Sequence, residues 1–163
     1  MPTDRRQNGD LTGVALDDTN RRLLGELQDD ARLSLAELGR RVGLSSPAVA
    51  ERLQRLAGDG CIIGYRTEID PRALGFGLSA VIRVRPASRQ LQRVAEIART
   101  SGEVVECHRI TGEDCFFLKA HVRTIGHLEE LIDRFTPYGR TTTSIIQSSP
   151  VPPRGPALAV NTA

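Results

Sequence analysis

The chain has 163 residues, 39% of them hydrophobic and 26% charged, with a formal net charge of +2; this suits one folded domain or two small ones and excludes a wholly disordered chain. No hydrophobic run approaches the roughly 20 residues of a membrane span, and the first residues contain no signal-peptide core, so we expect a cytoplasmic protein without a membrane partner. Three cysteines are too few for a disulfide framework, and so small a net charge means that any nucleic-acid footprint must be local.

The first predicted domain covers residues 14–66 and follows a polar N-terminus, residues 1–13, that we expect to be flexible. Within this domain the apolar residues recur at helical spacing. The first helix begins near Leu16, where Asp17 or Asp18 can cap its N-terminus. The domain is therefore predicted to be helical from its start.

Two further helices follow with only a few residues between them. Ser34 and Glu37 have the spacing of a capping box at the start of the second helix, and Gly43 predicts its end. Ser46 is the predicted N-cap of the third helix, with a proline at the first helical position. The next stretch, CIIGYRTEI at residues 61–69, is rich in β-branched residues and predicts a strand or small hairpin.

Helix, tight turn, helix and β wing is the order of a winged helix-turn-helix, in which the second helix of the corner lies in the major groove of DNA. Candidate contacts come from the third helix, from the small residues at its start and from the basic end of the second helix. These predicted DNA contacts are Arg40, Arg41, Ser45, Ser46, Ala48, Val49, Glu51, Arg52 and Arg55. The same spacing also fits a structural helix corner with solvated arginines.

A connector at residues 67–77 leads to a second predicted domain at residues 78–149. There, alternating and helical apolar patterns interleave in the order β-α-β-β-α-β. The strands are predicted at residues 78–84, 104–111, 115–122 and 141–147, and the helices at residues 89–102 and 127–135. This order predicts a ferredoxin-like unit, so the expected fold class is α+β, with four antiparallel strands and two helices on one face of the sheet.

The second face of the predicted sheet has no helix to cover it. It carries Val81, Cys115, Phe117 and His121, so that it is half apolar. Such a face predicts burial against a second copy of the chain. After it, residues 150–163 form a proline-rich tail that we expect to be extended or mobile.

Cysteine and histidine residues of the second domain raise the alternatives of a metal site and of a thiol enzyme. Cys107 and His108 are neighbours on one strand and point to opposite faces, and no pair of ligands has the usual zinc spacing. A cysteine nucleophile needs a contacting base and an orienting third group, which no motif here supplies. We therefore predict neither a metal site nor an enzyme.

The chain as a whole resembles the Lrp/AsnC family, the leucine-responsive or feast/famine transcriptional regulators. The resemblance covers residues 14–148 and rests on ordered stretches that include RLSLAELGRRVGLSSPAVAERLQRL, IDPRALG, ECHRITGEDCFFLKAHV and TTTSIIQ. It implies an N-terminal winged helix-turn-helix and a C-terminal domain that senses a small effector, typically an amino acid. It also implies homodimers built through the sheets, which often assemble to octamers.

In the family the effector loop usually reads Gly-Asp-x-Asp, and here it reads Gly112, Glu113, Asp114 and Cys115. A cysteine thus replaces the second acid. The resemblance implies that carboxylates of this loop bind the effector's ammonium group, while amides and nearby hydroxyls bind its carboxylate. The implied effector contacts are Thr111, Gly112, Glu113, Asp114, Cys115, Thr141 and Thr143. Without the resemblance, the same letters also fit a polar hairpin turn.

The expected function is that of a sequence-specific transcriptional regulator that binds double-stranded DNA and whose assembly or DNA affinity responds to an amino acid. No cofactor is expected. The alternative is a metabolic sensor or enzyme-regulatory subunit in which the helical domain docks a protein. A steep loss of affinity with added salt is typical of the first and not of the second.

Overall fold

The computed structural model describes residues 16–158, which divide into two compact units. In the described part of the chain, the first unit combines residues 16–67 with residues 153–158, and the second unit is Glu68–Pro152. The predicted flexible N-terminus, residues 1–13, and the last part of the predicted tail lie outside the described residues. No helix within residues 16–158 is long and apolar enough to cross a bilayer.

Three helices build the first unit: α1 is Asp18–Asp29, α2 is Leu35–Val42 and α3 is Ser46–Gly58. The side chain of Asp17 caps α1 by accepting a hydrogen bond from the Asn20 amide at 2.6 Å. Each of the three helices contributes at least one buried side chain to a common core. This core consists of Leu23, Leu38, Val42 and Val49. The predicted helices and their corner are therefore confirmed.

The corner between α2 and α3 depends on two glycines. Gly43 ends α2 in the left-handed conformation, with φ of 76°. Gly39 lies one turn earlier, where a β-carbon would stand 2.4 Å from the carbonyl oxygen of Leu44. Because real β-carbons do not approach a carbonyl so closely, only glycine lets the turn fold back onto α2.

Two local details of the corner differ from the predictions. The N-cap of α3 is Ser45 and not Ser46, which is the first residue of the helix. Ser34 does cap α2 by accepting from the Glu37 amide at 3.2 Å. The Glu37 carboxylate, however, binds two arginines of the same helix instead of completing a capping box.

The strand predicted at residues 61–69 is wrong, because this segment has no strand in the structure. Its β-branched residues favour extended backbone, but no other described segment pairs with it. The side chains of Ile63, Tyr65 and Ile69 are all exposed. The described helix-turn-helix therefore has no β wing, and an apolar extended segment leads into the second unit.

The second unit has the predicted β-α-β-β-α-β order. Its elements are β1 (Leu78–Pro86), α4 (Leu91–Thr100), β2 (Val104–Arg109), β3 (Phe116–Val122), α5 (Ile125–Asp133) and β4 (Gly139–Ile145). The strands form one antiparallel sheet in the order β2-β3-β1-β4. The ferredoxin-like fold is thus confirmed.

Strict alternation along β1 and β3 gives this sheet one buried and one open face. The buried face packs against α4 and α5 with a core of which Ile82, Leu118, Leu131 and Phe135 are the largest fully buried members. On the open face Val81, Phe117 and His121 are half-buried, and Ser79 is hydrogen-bonded to His121 over 2.8 Å. No element of the second unit covers this face.

The proline-rich segment after residue 150 has no helix or strand, but its described part packs against α1. The side chain of Gln28 donates a hydrogen bond to the Pro156 carbonyl oxygen at 3.2 Å. Leu158 approaches Gly25, where an added β-carbon would stand 3.7 Å from its Cδ1 atom. Residues 153–158 of the tail are therefore part of the first unit.

Candidate functional site

Helix α3 has one buried and one exposed face. Val49 and Leu56 are buried in the first unit, and Leu53 packs against the same core. Val49 is fully buried, so this predicted DNA contact is a core residue in the structure. The opposite face, with Glu51 and Arg55, is exposed.

The exposed face of α3 is polar and only lightly constrained. Arg55 donates from Nη2 to Glu51 Oε1 at 2.8 Å, and both side chains are about two-thirds exposed or more, at 67% and 71%. Gln54 is also exposed here, although we did not name it as a contact from the sequence. The sequence could have indicated Gln54 as a DNA contact, because it is polar and lies outside the apolar positions of α3. Glutamine can bind adenine with two hydrogen bonds.

Arg52, the third predicted arginine, is bound within the first unit. Its Nη1 atom donates to Asp17 Oδ2 at 2.6 Å and to Asn20 Oδ1 at 3.0 Å. The hydrogen bond from Arg52, followed by that from the Asn20 amide, lowers the pKa of the Asp17 carboxyl below its usual value. Arg52 therefore ties α3 to the N-terminus of α1 and has fewer free donors than Arg55.

The arginines at the end of α2 belong to a chain of ion pairs. Arg40 makes two hydrogen bonds to Glu37, at 2.9 and 2.7 Å, and remains 73% exposed. Arg41 bridges Glu37 and Glu26, each at 2.7 Å. The hydrogen bonds from Arg40 and then Arg41 lower the pKa of Glu37 to about 2. Both guanidiniums are thus held in place at the corner.

The small residues predicted to approach DNA lie at the start of α3. Ser45 is exposed, and Ser46 and Ala48 are partly exposed. The Ser45 side chain makes no capping hydrogen bond. Its hydroxyl therefore keeps its hydrogen-bonding capacity for a group outside the helix.

The predicted effector loop is a tight hairpin between β2 and β3. The Ile110 amide donates to the Cys115 carbonyl oxygen at 3.0 Å, and Gly112 has φ of 112°, a conformation that favours glycine. Thr111 and Glu113 are exposed, while Asp114 is only 22% exposed. The loop therefore presents one open and one partly covered carboxylate.

Both loop carboxylates face arginines of β1. Asp114 Oδ2 lies 3.6 Å from Arg83 Nη1, and Glu113 Oε2 lies 3.8 Å from Arg85 Nη1. These distances are those of ion pairs without a direct hydrogen bond. The four side chains form a charged group at the loop end of the open sheet face.

Strand β4 presents its threonines to different faces. Thr141 and Thr143 pair in register with Val84 and Ile82, whose side chains are buried on the helix face. Paired residues of antiparallel strands point to the same side, so these two predicted contacts lie on the side away from Asp114. Thr142 is opposite Arg83 and shares the open face with the loop acids.

Cysteine and histidine residues of the described segments do not gather. Among residues 16–158 no three side chains of the histidine, cysteine, aspartate or glutamate type are placed to hold a metal ion. Cys107 is exposed on β2. The prediction that Cys115 lies on the open face is wrong, because this side chain packs against the core between the sheet and the helices. The candidate site is therefore built from arginines, carboxylates and hydroxyls.

Two domain families match the chain, one for each unit. The AsnC-type helix-turn-helix domain matches residues 16–57, and the Lrp/AsnC ligand binding domain matches residues 79–156. The HTH-type transcriptional regulator LrpC of Bacillus subtilis (strain 168) is 33% identical over 135 residues, which cover 83% of this chain and 94% of the relative.

Solved structures agree with the sequence comparisons. The structure of B. subtilis LrpC is similar with a TM-score of 0.80 and 32% identity, covering 83% of this chain and 97% of that chain. A feast or famine regulatory protein from M. tuberculosis complexed with L-methionine is similar with a TM-score of 0.77 and 34% identity, covering 86% of this chain and 98% of that chain.

Proposed function

This chain belongs to the Lrp/AsnC family of DNA-binding transcriptional regulators, and we propose that the exposed face of α3 reads the duplex while the loop between β2 and β3 senses an amino acid. The proposal assigns both halves of the family's function to residues of this chain. The observation that carries the proposal is the orientation of α3, which buries Val49 and Leu56. Its opposite face exposes Glu51, Gln54 and Arg55.

Direct reading of DNA requires side chains that reach the base edges from the major groove. Arginine binds guanine and glutamine binds adenine through paired hydrogen bonds. Arg55 and Gln54 supply these groups, and the partly exposed Ser46 and Ala48 at the helix start offer little steric resistance to a close approach. Arg40, exposed at the end of α2, is suited to phosphate contacts.

The test is binding of the full chain to labelled duplexes from its own promoter region at several salt concentrations. A duplex binder has a log–log salt slope of about −0.9 for each phosphate that it neutralises. A steep slope, together with tighter binding to one fragment than to random DNA, supports the proposal. A protein-docking helix corner would show neither behaviour, and the comparisons give that alternative no support.

Replacing Arg55 with alanine is expected to weaken binding to the preferred duplex by about 1 to 3 kcal/mol and to relax sequence preference, because a base contact is lost. Arg40→Ala should weaken binding to all duplexes alike and flatten the salt slope. Fluorescence anisotropy with specific and random duplexes distinguishes the two outcomes.

Arg52→Ala provides the matched comparison on the same helix. From the sequence we predicted a base contact for Arg52, but its bonds to Asp17 and Asn20 favour a structural role. We therefore expect this variant to lower the stability of the first unit more than it alters sequence preference. Equal losses on specific and random duplexes for Arg55→Ala would contradict the base-reading role of Arg55.

Amino-acid sensing is proposed for the second unit. A family neighbour is complexed with L-methionine, and the loop here offers Asp114 and Glu113 for an ammonium group, with Arg83 for a carboxylate. Thr142 shares their face, whereas Thr141 and Thr143 would need the effector to approach from the helix side. Gly112 and the backbone amides of the hairpin complete the proposed contacts.

A thermal-shift screen of the full chain against the twenty amino acids tests this sensing role. A ligand present at 100 times its dissociation constant adds about 2.7 kcal/mol of stability to the folded state. At least one amino acid should raise the melting temperature at millimolar concentration. The absence of any shift with all twenty would remove the sensing role from the proposal.

The open face of the sheet is the proposed interface between two copies of the chain. Val81 and Phe117 provide apolar area, and the Ser79–His121 hydrogen bond satisfies two polar side chains on the same face. Two identical faces can pack about a two-fold axis. The exposed Ile63 and Tyr65 of the connecting segment offer further apolar surface for assembly, up to the octamers of the family.

Phe117→Asp is expected to convert the dimer to a monomer, because it would bury an unpaired charge in that interface. Light scattering at micromolar concentration measures the change, and Glu129→Gln on the exposed surface of α5 serves as the control. A wild-type chain that is already monomeric under these conditions would contradict the proposed interface.

The remaining assignments follow from the regulatory role. We propose that the protein has no catalytic site of its own and needs no cofactor, since the relative named above is a transcriptional regulator. The proposed location is the cytoplasm, where a bacterial type of regulator meets chromosomal DNA.

A further inference from the structure

Three arginines lie together at the loop end of the open sheet face. Arg83 and Arg85 occupy β1, and Arg140 on β4 is directly opposite Arg85 in the register. Arg83 and Arg85 alternate with the buried Ile82 and Val84 along β1. Arg140 is paired with Arg85, so all three side chains point to the open face. We call these residues, together with Glu113 and Asp114, the arginine patch.

The arginine patch is electrostatically unfavourable as it stands. Like charges directly opposite each other on antiparallel strands destabilise a sheet, and Arg85 faces Arg140 in this way. Within residues 16–158, none of the three guanidiniums donates a hydrogen bond to a carboxylate; the nearest are Asp114 at 3.6 Å and Glu113 at 3.8 Å. Within one chain the donors of the patch are therefore free, so an anionic ligand bound at this end of the proposed dimer interface can accept hydrogen bonds from them.

Charge matching indicates the class of that ligand. Three guanidiniums and two carboxylates leave the patch with one net positive charge. A neutral amino-acid zwitterion would bind without changing this excess, whereas an acidic amino acid carries one net negative charge and would neutralise it. We infer that the effector is an acidic amino acid, an inference that rests on the proposed sensing function of the loop.

The geometry of the patch divides the ligand's three charged groups among its residues. Asp114, partly covered, receives the ammonium group, and its partner Arg83 receives the α-carboxylate. Arg85 and Arg140 then donate hydrogen bonds to the side-chain carboxylate from adjacent strands.

Isothermal titration calorimetry of the full chain tests the inference with two isosteric pairs, L-glutamate against L-glutamine and L-aspartate against L-asparagine. Because one charged hydrogen-bonding group differs within each pair, the preferred acid should bind at least about tenfold more tightly than its amide. Arg85→Gln and Arg140→Gln should each abolish most of this preference. Arg99→Gln, an exposed arginine of α4, is the matched control and should leave it unchanged.

The outcomes separate the inference from the proposed function. If amides bind as tightly as acids, or if the preference survives both Arg85→Gln and Arg140→Gln, the inference is wrong while sensing stands. If no amino acid binds, sensing itself fails. If the two variants instead lower affinity for duplex DNA and leave the amino-acid preference intact, the patch is a phosphate contact, and the inference is again overturned.

Discussion

Gly39→Ala should lower the free energy of unfolding of the first unit by about 1 to 3 kcal/mol or more, as forced overpacking does. Its new β-carbon would lie 2.4 Å from the Leu44 carbonyl oxygen, and this atom belongs to backbone that cannot rotate away. The higher helix propensity of alanine, worth about 1 kcal/mol, works in the opposite direction and is the smaller effect. Urea denaturation followed by far-UV circular dichroism measures the change.

Gly58→Ala is the matched control for this experiment. Gly58 ends α3, and a β-carbon there meets no atom within 4 Å. We expect this variant to be neutral or slightly more stable than the wild type. A Gly39 variant as stable as the Gly58 variant would show that the corner can widen without cost. DNA binding should fall with Gly39→Ala, because the corner sets the position of α3.

The second large effect concerns Glu103, which joins the start of β2 to α5. Its carboxylate accepts two hydrogen bonds from Arg134, at 3.1 and 2.9 Å, and one from His127 at 3.0 Å. The Arg123 amide donates to Nδ1 of His127, so Nε2 carries the proton that Glu103 accepts. The Glu103 side chain is only 13% exposed.

Burial alone would raise the pKa of Glu103, but hydrogen bonds from His127, the backbone and Arg134 outweigh it and lower the pKa to about 2. Because this value lies below that of the unfolded chain, the ionised carboxylate stabilises the fold above about pH 5, and the contribution disappears as the pH falls towards 2. Glu103→Gln should therefore reduce the free energy of unfolding at pH 7 by about 2 to 3 kcal/mol.

Urea denaturation at pH 7 and pH 3 measures how much stability Glu103→Gln removes and in which direction this loss changes with pH. The difference in unfolding free energy between wild type and Glu103→Gln should be much smaller at pH 3, because the stabilising contribution of the ionised Glu103 carboxylate decreases there. Glu96→Gln is the control, because Glu96 belongs to an exposed ion pair with Arg93 and such pairs contribute little. A difference that is equal at both pH values would contradict the assigned pKa.

Local patterns in the sequence were sufficient to predict most of the fold. The helix-turn-helix followed from cap residues and helical spacing, and the β1 and β3 strands from strict alternation. Cap residues and apolar spacing depend only on residues close together in the sequence, and the folded chain keeps the same local arrangement. They failed at residues 61–69, because a strand also needs a partner, and no β propensity reveals whether one exists.

The candidate site was harder to predict because its contacts join distant parts of the chain. Arg52 and Asp17 are 35 residues apart, so the spacing of α3 alone assigned Arg52 to the exposed face. For β4, a run of three threonines has no alternation from which to choose a face, and only the register with β1 separates Thr142 from its neighbours. The family resemblance located the loop, but not the arginines opposite it.

The packing of Pro156 and Leu158 on α1 has a consequence for modularity. The described part of the DNA-binding unit consists of residues 16–67 and 153–158, and the sensing unit lies between these two segments in the sequence. A chimaera that joins residues 16–67 to a foreign sensor would leave Gly25 and Gln28 without their tail. Replacement of the sensing unit in this protein therefore has to conserve both junctions, because a fusion made only after residue 67 would lack the tail that packs on α1.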